Sequence, residues 1–279
     1  MSEVAFYNVR SLYDPGYIEH FVAEPNQRRR RVPLFFLHGA HHGAWCWEWF
    51  LRRFVTRGYE CHVISLPGHL KSSLEGKRLN RYRLRNYVDC LAREVGPITP
   101  APVLVSHGMG GAIVARYLAG APQGAPAAVF LSPVPAGGTW RSGLRGALRH
   151  PLAALRRLVT DDPRHLIGSP RLVARRLLSG ERSIHPAAYH QRLGPESSRV
   201  ARELWFARSV RWAALNLPTL NMAGDRDRLF TVAEQRRLAH RMDSEFRVWP
   251  GRPHALMLTP QWEEIVDYID EWLAASGIR

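Results

Sequence analysis

Short apolar runs alternate with longer amphipathic segments along most of this 279-residue chain. Residues 32–37 (VPLFFL) and 102–105 are almost wholly apolar, which is typical of strands buried on both faces of a parallel sheet. The segments between such runs have the apolar spacing of helices that pack on a sheet. Residues 4–9 and 17–23 predict an antiparallel pair at its start. The sequence therefore predicts an α/β fold with a mainly parallel sheet and flanking helices.

The alternation stops after residue 132 and resumes at residue 216. The intervening pattern is only helical, so we expect this insertion to cover the carboxyl ends of the strands as a lid. The predicted core is residues 1–132 and 216–279, and the predicted helical lid, inserted after the sixth strand, is residues 133–215. An apolar stripe in the lid is expected to pack against the sheet; it consists of Leu144, Leu148, Leu155 and Val159.

The chain has a formal net charge of +15, and all but two of its basic residues are arginines. The predicted lid alone contains 15 arginines and five acidic residues. These arginines either receive an anionic substrate, such as an acyl thioester, or form a solvated helical face. No known nucleic-acid-binding motif accompanies the charge, so we expect no nucleic-acid partner.

The sequence has no feature of a membrane or exported protein. No apolar run approaches the roughly 20 residues that span a bilayer, and the first ten residues lack the basic and apolar regions of a signal peptide. Cys46, Cys61 and Cys90 have no metal-ligand spacing and are typical of reduced thiols. We therefore expect a cytoplasmic protein that has no membrane partner.

Four predicted strands end in motifs that place polar groups at one edge of the sheet, where open α/β sheets bind ligands. HGAHHGAWCW begins at His38, HGMGG at His107, GDRD at Gly224 and GRPHALML at Gly251. This set resembles, in the same order, the motifs of the lysophospholipase-like, lid-bearing branch of the α/β-hydrolase superfamily. The resemblance covers essentially the whole chain. It implies an α/β-hydrolase fold and a hydrolase-like enzyme.

The turn after the fifth strand departs from the family pattern. The family has G-x-S-x-G at this turn, commonly VGHSMGG, whereas residues 105–111 read VSHGMGG. Gly108 therefore occupies the position of the nucleophilic serine, and no acyl-enzyme can form on it. A shifted register with Ser106 as nucleophile is disfavoured, because it puts Leu104 where the turn needs a small residue.

The resemblance implies the other site residues. Asp227 corresponds to the acid and His254 to the base, and such an aspartate holds the imidazole in one tautomer. The backbone N–H groups of Ala40 and Met109 are expected to form an oxyanion hole. Further residues are predicted to line an apolar substrate pocket: His38, Gly39, His41, His42, His107, Trp140 and Met257, with Trp45, Trp47, Trp205 and Phe206 as additional aromatic candidates. No carboxylate or cysteine completes a ligand set beside His41 and His42, so no metal or other cofactor is expected.

Three functions are compatible with this pattern. In the first, His254 and Asp227 act as a general base on an apolar small molecule that contains an acyl or carbonyl group. The chemistry is then non-covalent: a lyase, a cyclase, a cofactor-independent oxygenase or direct activation of water. In the second, the chain is an inactive Ser→Gly variant, engineered or natural, of a serine esterase, thioesterase or lipase-like hydrolase. In the third, it is a ligand-binding protein that has kept the fold without catalysis.

Overall fold

A computed structural model of the chain describes residues 6–8, 16–181, 184–208, 210 and 212–278. For residues 6–8 and 166 it describes the backbone alone. Of the first predicted strand, Val4, Ala5 and Val9 lie outside the described residues.

Within the described residues, eight strands form one sheet in the order β1-β2-β4-β3-β5-β6-β7-β8. They are β1 (Phe6–Asn8), β2 (His20–Ala23), β3 (Leu34–Leu37), β4 (Cys61–Ile64), β5 (Val103–His107), β6 (Ala128–Leu131), β7 (Thr219–Gly224) and β8 (Glu245–Trp249). β2 pairs antiparallel with β1 and β4, and all other neighbours are parallel. The predicted mainly parallel sheet is confirmed, and the carboxyl ends of β3, β5, β7 and β8 meet at one edge.

Helices cover both faces of the sheet. Those of the core are α1 (Glu48–Thr56), α2 (Leu84–Val95), α3 (Met109–Gly120), α9 (Val232–Arg241) and α10 (Trp262–Ala275). Successive residues of β3 point to opposite faces, so Phe36 packs in one apolar cluster with Trp47 while Phe35 packs in another with Tyr87. This burial on both sides explains why β3 is a continuous apolar run. The α/β-hydrolase fold expected from the sequence is confirmed.

Five further helices lie between β6 and β7 and are called the inserted helices below. They are α4 (Trp140–Arg149), α5 (Pro151–Thr160), α6 (Pro170–Arg176), α7 (Pro186–Arg192) and α8 (Ser198–Phe206). Pro151 occupies the first turn of α5, and Pro170 and Pro186 do the same in α6 and α7. Proline suits this position because the first N–H of a helix has no partner within the helix.

The apolar stripe of α4 and α5 faces outward, and the prediction that it packs against the sheet is wrong. Its members are 53–77% exposed: Leu144 53%, Leu148 77%, Leu155 56% and Val159 76%. The inward side of α4 carries small residues instead. A β-carbon on Gly143 would lie 2.4 Å from the Trp205 ring, and one on Gly146 would lie 2.6 Å from the Arg176 guanidinium. Because these close contacts occupy the inner face, the leucines are left on the outer one.

Candidate active site

Gly108 forms the sharp turn between β5 and α3, with φ +54° and ψ −114°. Residues with a β-carbon rarely adopt this positive φ, whereas glycine does so without strain. A β-carbon built on Gly108 would lie 3.6 Å from Nε2 of His254 and 3.7 Å from the α-carbon of Gly39. The turn therefore presents position 108 to the imidazole and has room for a small side chain.

His254 and Asp227 form the pair that the sequence predicts. Nδ1–H of His254 donates to Oδ2 of Asp227 over 2.7 Å. The other carboxylate oxygen accepts hydrogen bonds from the backbone N–H groups of Leu229 (2.7 Å) and Phe230 (3.0 Å). Both side chains are buried. With Nδ1 acting as the donor, Nε2 is the nitrogen available to accept a proton, and it faces Gly108.

The predicted oxyanion groups lie beside this turn. Neither the N–H of Ala40 nor that of Met109 donates a hydrogen bond to another described residue. The loop after β3 approaches the turn closely, since a β-carbon on Gly39 would lie 2.7 Å from Nδ1 of His107. Glycine at position 39 is therefore needed for the approach. Such backbone donors suit a carbonyl oxygen that gains negative charge.

Ser106 lies within β5 and is completely buried. Its hydroxyl donates to the carbonyl oxygen of Val129 on the neighbouring strand over 3.2 Å. Ser106 therefore belongs to the sheet rather than to the turn at Gly108.

Burial holds the histidines around the turn in their neutral form: His38, His42 and His107 are buried, and His41 is half-buried. Burial lowers the pKa of His42 to about 3 and lowers the pKa values of His38, His41 and His107. Nδ1–H of His42 donates to the Ala40 carbonyl (2.8 Å), and Nε2 accepts from the Tyr189 hydroxyl (2.6 Å). Among the described residues, no group of three or more His, Cys, Asp or Glu side chains is arranged to hold a metal ion.

A cavity of about 170 Å³ opens above Gly108, with a largely apolar wall. Nine of the predicted site residues line it: Gly39, Ala40, His41, His42, His107, Gly108, Met109, Trp205 and His254. The inserted segment closes the other side, because part of the wall comes from Thr139, Ser142, Gly143, Ile167, Leu177 and Leu204. This shape suits a small apolar molecule bound against the turn.

Three residues predicted to line the pocket lie outside the wall of this cavity. His38 is completely buried beneath the loop after β3, where its Nδ1–H donates to the Gly39 carbonyl and its Nε2 accepts from the Leu66 N–H. Met257 is completely buried in the core. Trp140 is half-buried and stacks with the Arg141 guanidinium, 4.5 Å away. The additional candidates Trp45, Trp47 and Phe206 also lie outside it, since Trp47 is a core residue and Phe206 is 52% exposed.

Sequence reasoning missed several residues of the wall, including Phe230, Arg157, Arg176 and Glu196. Phe230 lies three residues after Asp227, so the GDRD motif could have located it. Arg157, Arg176 and Glu196 have no such signal, because only the packing of the inserted helices brings them to the cavity.

Glu196 forms a buried ion pair at this wall. Its carboxylate lies 3.2 Å from Nε2 of His69 and accepts hydrogen bonds from the Tyr87 hydroxyl (2.9 Å) and the Ser197 N–H (2.7 Å). Burial disfavours both charges, but the attraction between the two groups outweighs it: the pKa of Glu196 falls to about 2, and that of His69 rises. The carboxylate is therefore charged and already fully partnered.

A profile described as the alpha/beta hydrolase family matches residues 34–268. A monoacylglycerol lipase of Mycolicibacterium smegmatis is 27% identical over 276 residues, which cover 96% of this chain and 94% of that protein. The crystal structure of a Paleococcus ferrophilus monoacylglycerol lipase has a TM-score of 0.70 at 20% identity and covers 93% of this chain and 98% of its own. A thermophilic esterase from Thermogutta terrifontis has a TM-score of 0.69 at 18% identity, with 99% of each chain covered. Within the described residues, no helix is long and apolar enough to cross a membrane.

Proposed function

This chain belongs to the alpha/beta hydrolase family, and from that membership we propose that it is an enzyme with His254 as general base and no covalent acyl intermediate. Its substrate is an apolar small molecule that contains an acyl or carbonyl group. One observation carries the proposal: Nε2 of His254 is aimed at position 108, where the chain has no nucleophilic side chain. The base therefore acts directly on the substrate or on water.

The chemistry follows from the groups in place. The carbonyl oxygen binds at the N–H groups of Ala40 and Met109, which stabilise the negative charge that develops on it. Nε2 of His254 takes a proton from an acidic C–H or O–H of the substrate, or from water that adds to the carbonyl carbon. Asp227 stabilises the resulting imidazolium. When water adds, the bond from the acyl carbon to the ester oxygen or thioester sulfur then breaks, and that oxygen or sulfur takes the proton from the imidazolium. When the substrate itself is deprotonated, the resulting anion expels a leaving group that takes the proton, or takes the proton back at another atom, so the base is regenerated in each case.

A second function is favoured by a different observation: the turn keeps the geometry of a nucleophile position and has space for a β-carbon. In this function the chain is a Ser→Gly form of an esterase or lipase-like hydrolase. The names of its relatives, monoacylglycerol lipase and esterase, agree with it.

One experiment separates the two functions. The chain, its Gly108→Ser variant and its His254→Ala variant are assayed on short- and medium-chain esters and thioesters, and each is treated with an alkyl fluorophosphonate that labels activated serines. General-base chemistry predicts turnover by the unmodified chain, no phosphonylation, and loss of turnover in His254→Ala. If only Gly108→Ser is labelled and only it hydrolyses esters, the second function is correct. If neither the unmodified chain nor Gly108→Ser acts on any ester or thioester, ester and thioester hydrolysis is excluded under both functions. The general-base proposal then requires proton abstraction from a carbon acid.

A further inference from the structure

Two arginines of the inserted helices, Arg157 on α5 and Arg176 on α6, line the same cavity as His254 and Gly108. We infer that their guanidinium groups form a subsite for an oxyanion, a carboxylate or a phosphate, carried by an otherwise apolar substrate. The inference rests on the proposed function, since it assigns this anion to the molecule that reaches His254.

Arg176 has no counterion in the described part of the chain. Arg176 is only 9% exposed, and its guanidinium makes no hydrogen bond or ion pair with a described residue. Other arginines of this region are paired with acids; these pairs are Arg145–Glu234, Arg164–Asp162 and Arg202–Asp161. Burial of a charge without a partner costs free energy. An anion bound in the cavity would remove that cost.

Arg157 places a second positive charge at the same wall. It too makes no ion pair with a described residue, and the acid whose charge acts on it most, Asp161, is engaged by Arg202. Burial, together with the charges of Arg149 and Arg157, lowers the pKa of Arg176 to about 10. Arg176 therefore remains cationic at neutral pH, and the two guanidinium groups repel each other until an anion lies between them.

The acidic residue of the cavity does not neutralise these arginines. Glu196 also lines the wall, but both of its oxygens are engaged by His69, Tyr87 and Ser197. The wall of the cavity is largely apolar and includes Ile167 and Leu177. A molecule that fits both surfaces combines an apolar body with one anionic group. A guanidinium binds such a group through paired N–H donors in fixed geometry.

The test measures binding rather than turnover. Octanoate and octyl phosphate are the anionic probes, 1-octanol is the neutral probe, and dissociation constants are obtained by calorimetry. The variants are Arg176→Met and Arg157→Met. Their matched controls, Arg175→Met and Arg156→Met, change the exposed neighbour of each arginine, and neither neighbour lines the cavity.

We expect the unmodified chain to bind at least one anionic probe about tenfold or more tightly than 1-octanol, as charge-assisted hydrogen bonds would provide. Arg176→Met and Arg157→Met should each lose most of this preference, and the controls should keep it. The preferred probe identifies the anion as a carboxylate or a phosphate. Equal affinity for all three probes, or equal losses in variants and controls, would overturn the subsite.

Two further measurements distinguish loss of the anion subsite from unfolding of the variant and from failure of the proposed catalysis. The thermal midpoint of Arg176→Met should equal or exceed that of the unmodified chain, because an unpaired buried charge is removed. A sharp fall in midpoint with the anion preference intact would make Arg176 structural and overturn the inference. His254→Ala should keep the anion preference whatever its activity, so a failure of the proposed catalysis leaves the binding test intact.

Discussion

The imidazole of His254 faces Gly108 so that a β-carbon at position 108 would stand 3.6 Å from its Nε2. The opposite nitrogen of the ring donates to Asp227 over 2.7 Å. The hydrogen bond to Asp227 fixes the tautomer and the orientation of the imidazole, and its Nε2 points to a residue that has no side chain. This relationship determines how the site responds to substitution.

Replacement of Gly108 by serine should lower stability while supplying the hydroxyl. A residue with a β-carbon at φ +54° is strained by about 1–3 kcal/mol, and Gly108→Ala should show the same loss. We expect phosphonylation by the alkyl fluorophosphonate to appear in Gly108→Ser alone, because only this variant has a hydroxyl beside His254 at the turn. Urea unfolding of the three chains measures the strain, and fluorophosphonate labelling measures the reactivity of the introduced serine. A stable Gly108→Ser chain with no loss relative to glycine would show that the turn relaxes on substitution.

Substitutions of the His254–Asp227 pair should reduce any turnover without unfolding the chain. His254→Ala removes the base, whose contribution is typically 10²–10⁴-fold. Asp227→Asn can still accept the N–H groups of Leu229 and Phe230 but presents an amide to Nδ1, so it favours the tautomer that has its proton on Nε2. We expect losses on the order of 100-fold or more in kcat/KM for both variants. Activity that survives in either variant would exclude the pair from the reaction.

Stability should fall as the solution becomes more acidic than about pH 6.5. The pKa values of His38, His41, His42 and His107 are lowered by burial, so below that pH the unfolded chain binds protons that the folded chain excludes. Each such histidine lowers the free energy of unfolding by up to about 1.4 kcal/mol per pH unit between its unfolded and folded pKa values. For His42 this range extends from about 6.5 to about 3.

His69, which is paired with Glu196, changes stability with pH in the opposite direction to these four histidines. The raised pKa of His69 gives a contribution that is present below about pH 6.5 and is lost as pH rises through its folded value. Thermal midpoints from pH 4 to pH 9 test both effects. His42→Gln should reduce the fall of the thermal midpoint below about pH 6.5. The matched variant of an exposed histidine, His240→Gln, should leave that fall unchanged. An equal fall of the midpoint with acid in both variants would show that His42 does not contribute to the loss of stability.

Polar substitutions on the outer face of α4 and α5 should have little effect on stability. Leu158 is 81% exposed, so Leu158→Ser should change the free energy of unfolding by no more than about 0.5 kcal/mol. Val173 of α6 is completely buried, and Val173→Ser should cost about 2 kcal/mol or more. Chemical unfolding of the two variants makes the comparison. A large loss in Leu158→Ser would show that this face is covered in solution.

The parts of the site that follow strands were predictable from the sequence. Asp227 and His254 come directly after β7 and β8, and parallel strands bring their carboxyl ends to one edge. The orientation of side chains beyond those ends was not predictable. Met257 turns into the core three residues after His254, and the α4 leucines have the spacing of a buried stripe although they face outward. Arg157 and Arg176 reach the cavity only through contacts between inserted helices, which leave no local pattern in the sequence.

Because of the backbone conformation of Gly108, few substitutions separate this chain from one that carries a nucleophile. Glycine and serine codons can differ by a single base, and the turn, the imidazole and the loop after β3 are already arranged around position 108. A one-base change is then enough to place a hydroxyl beside His254, with no second substitution needed to make room for it. Forms of this site with and without a nucleophile are therefore neighbours in sequence.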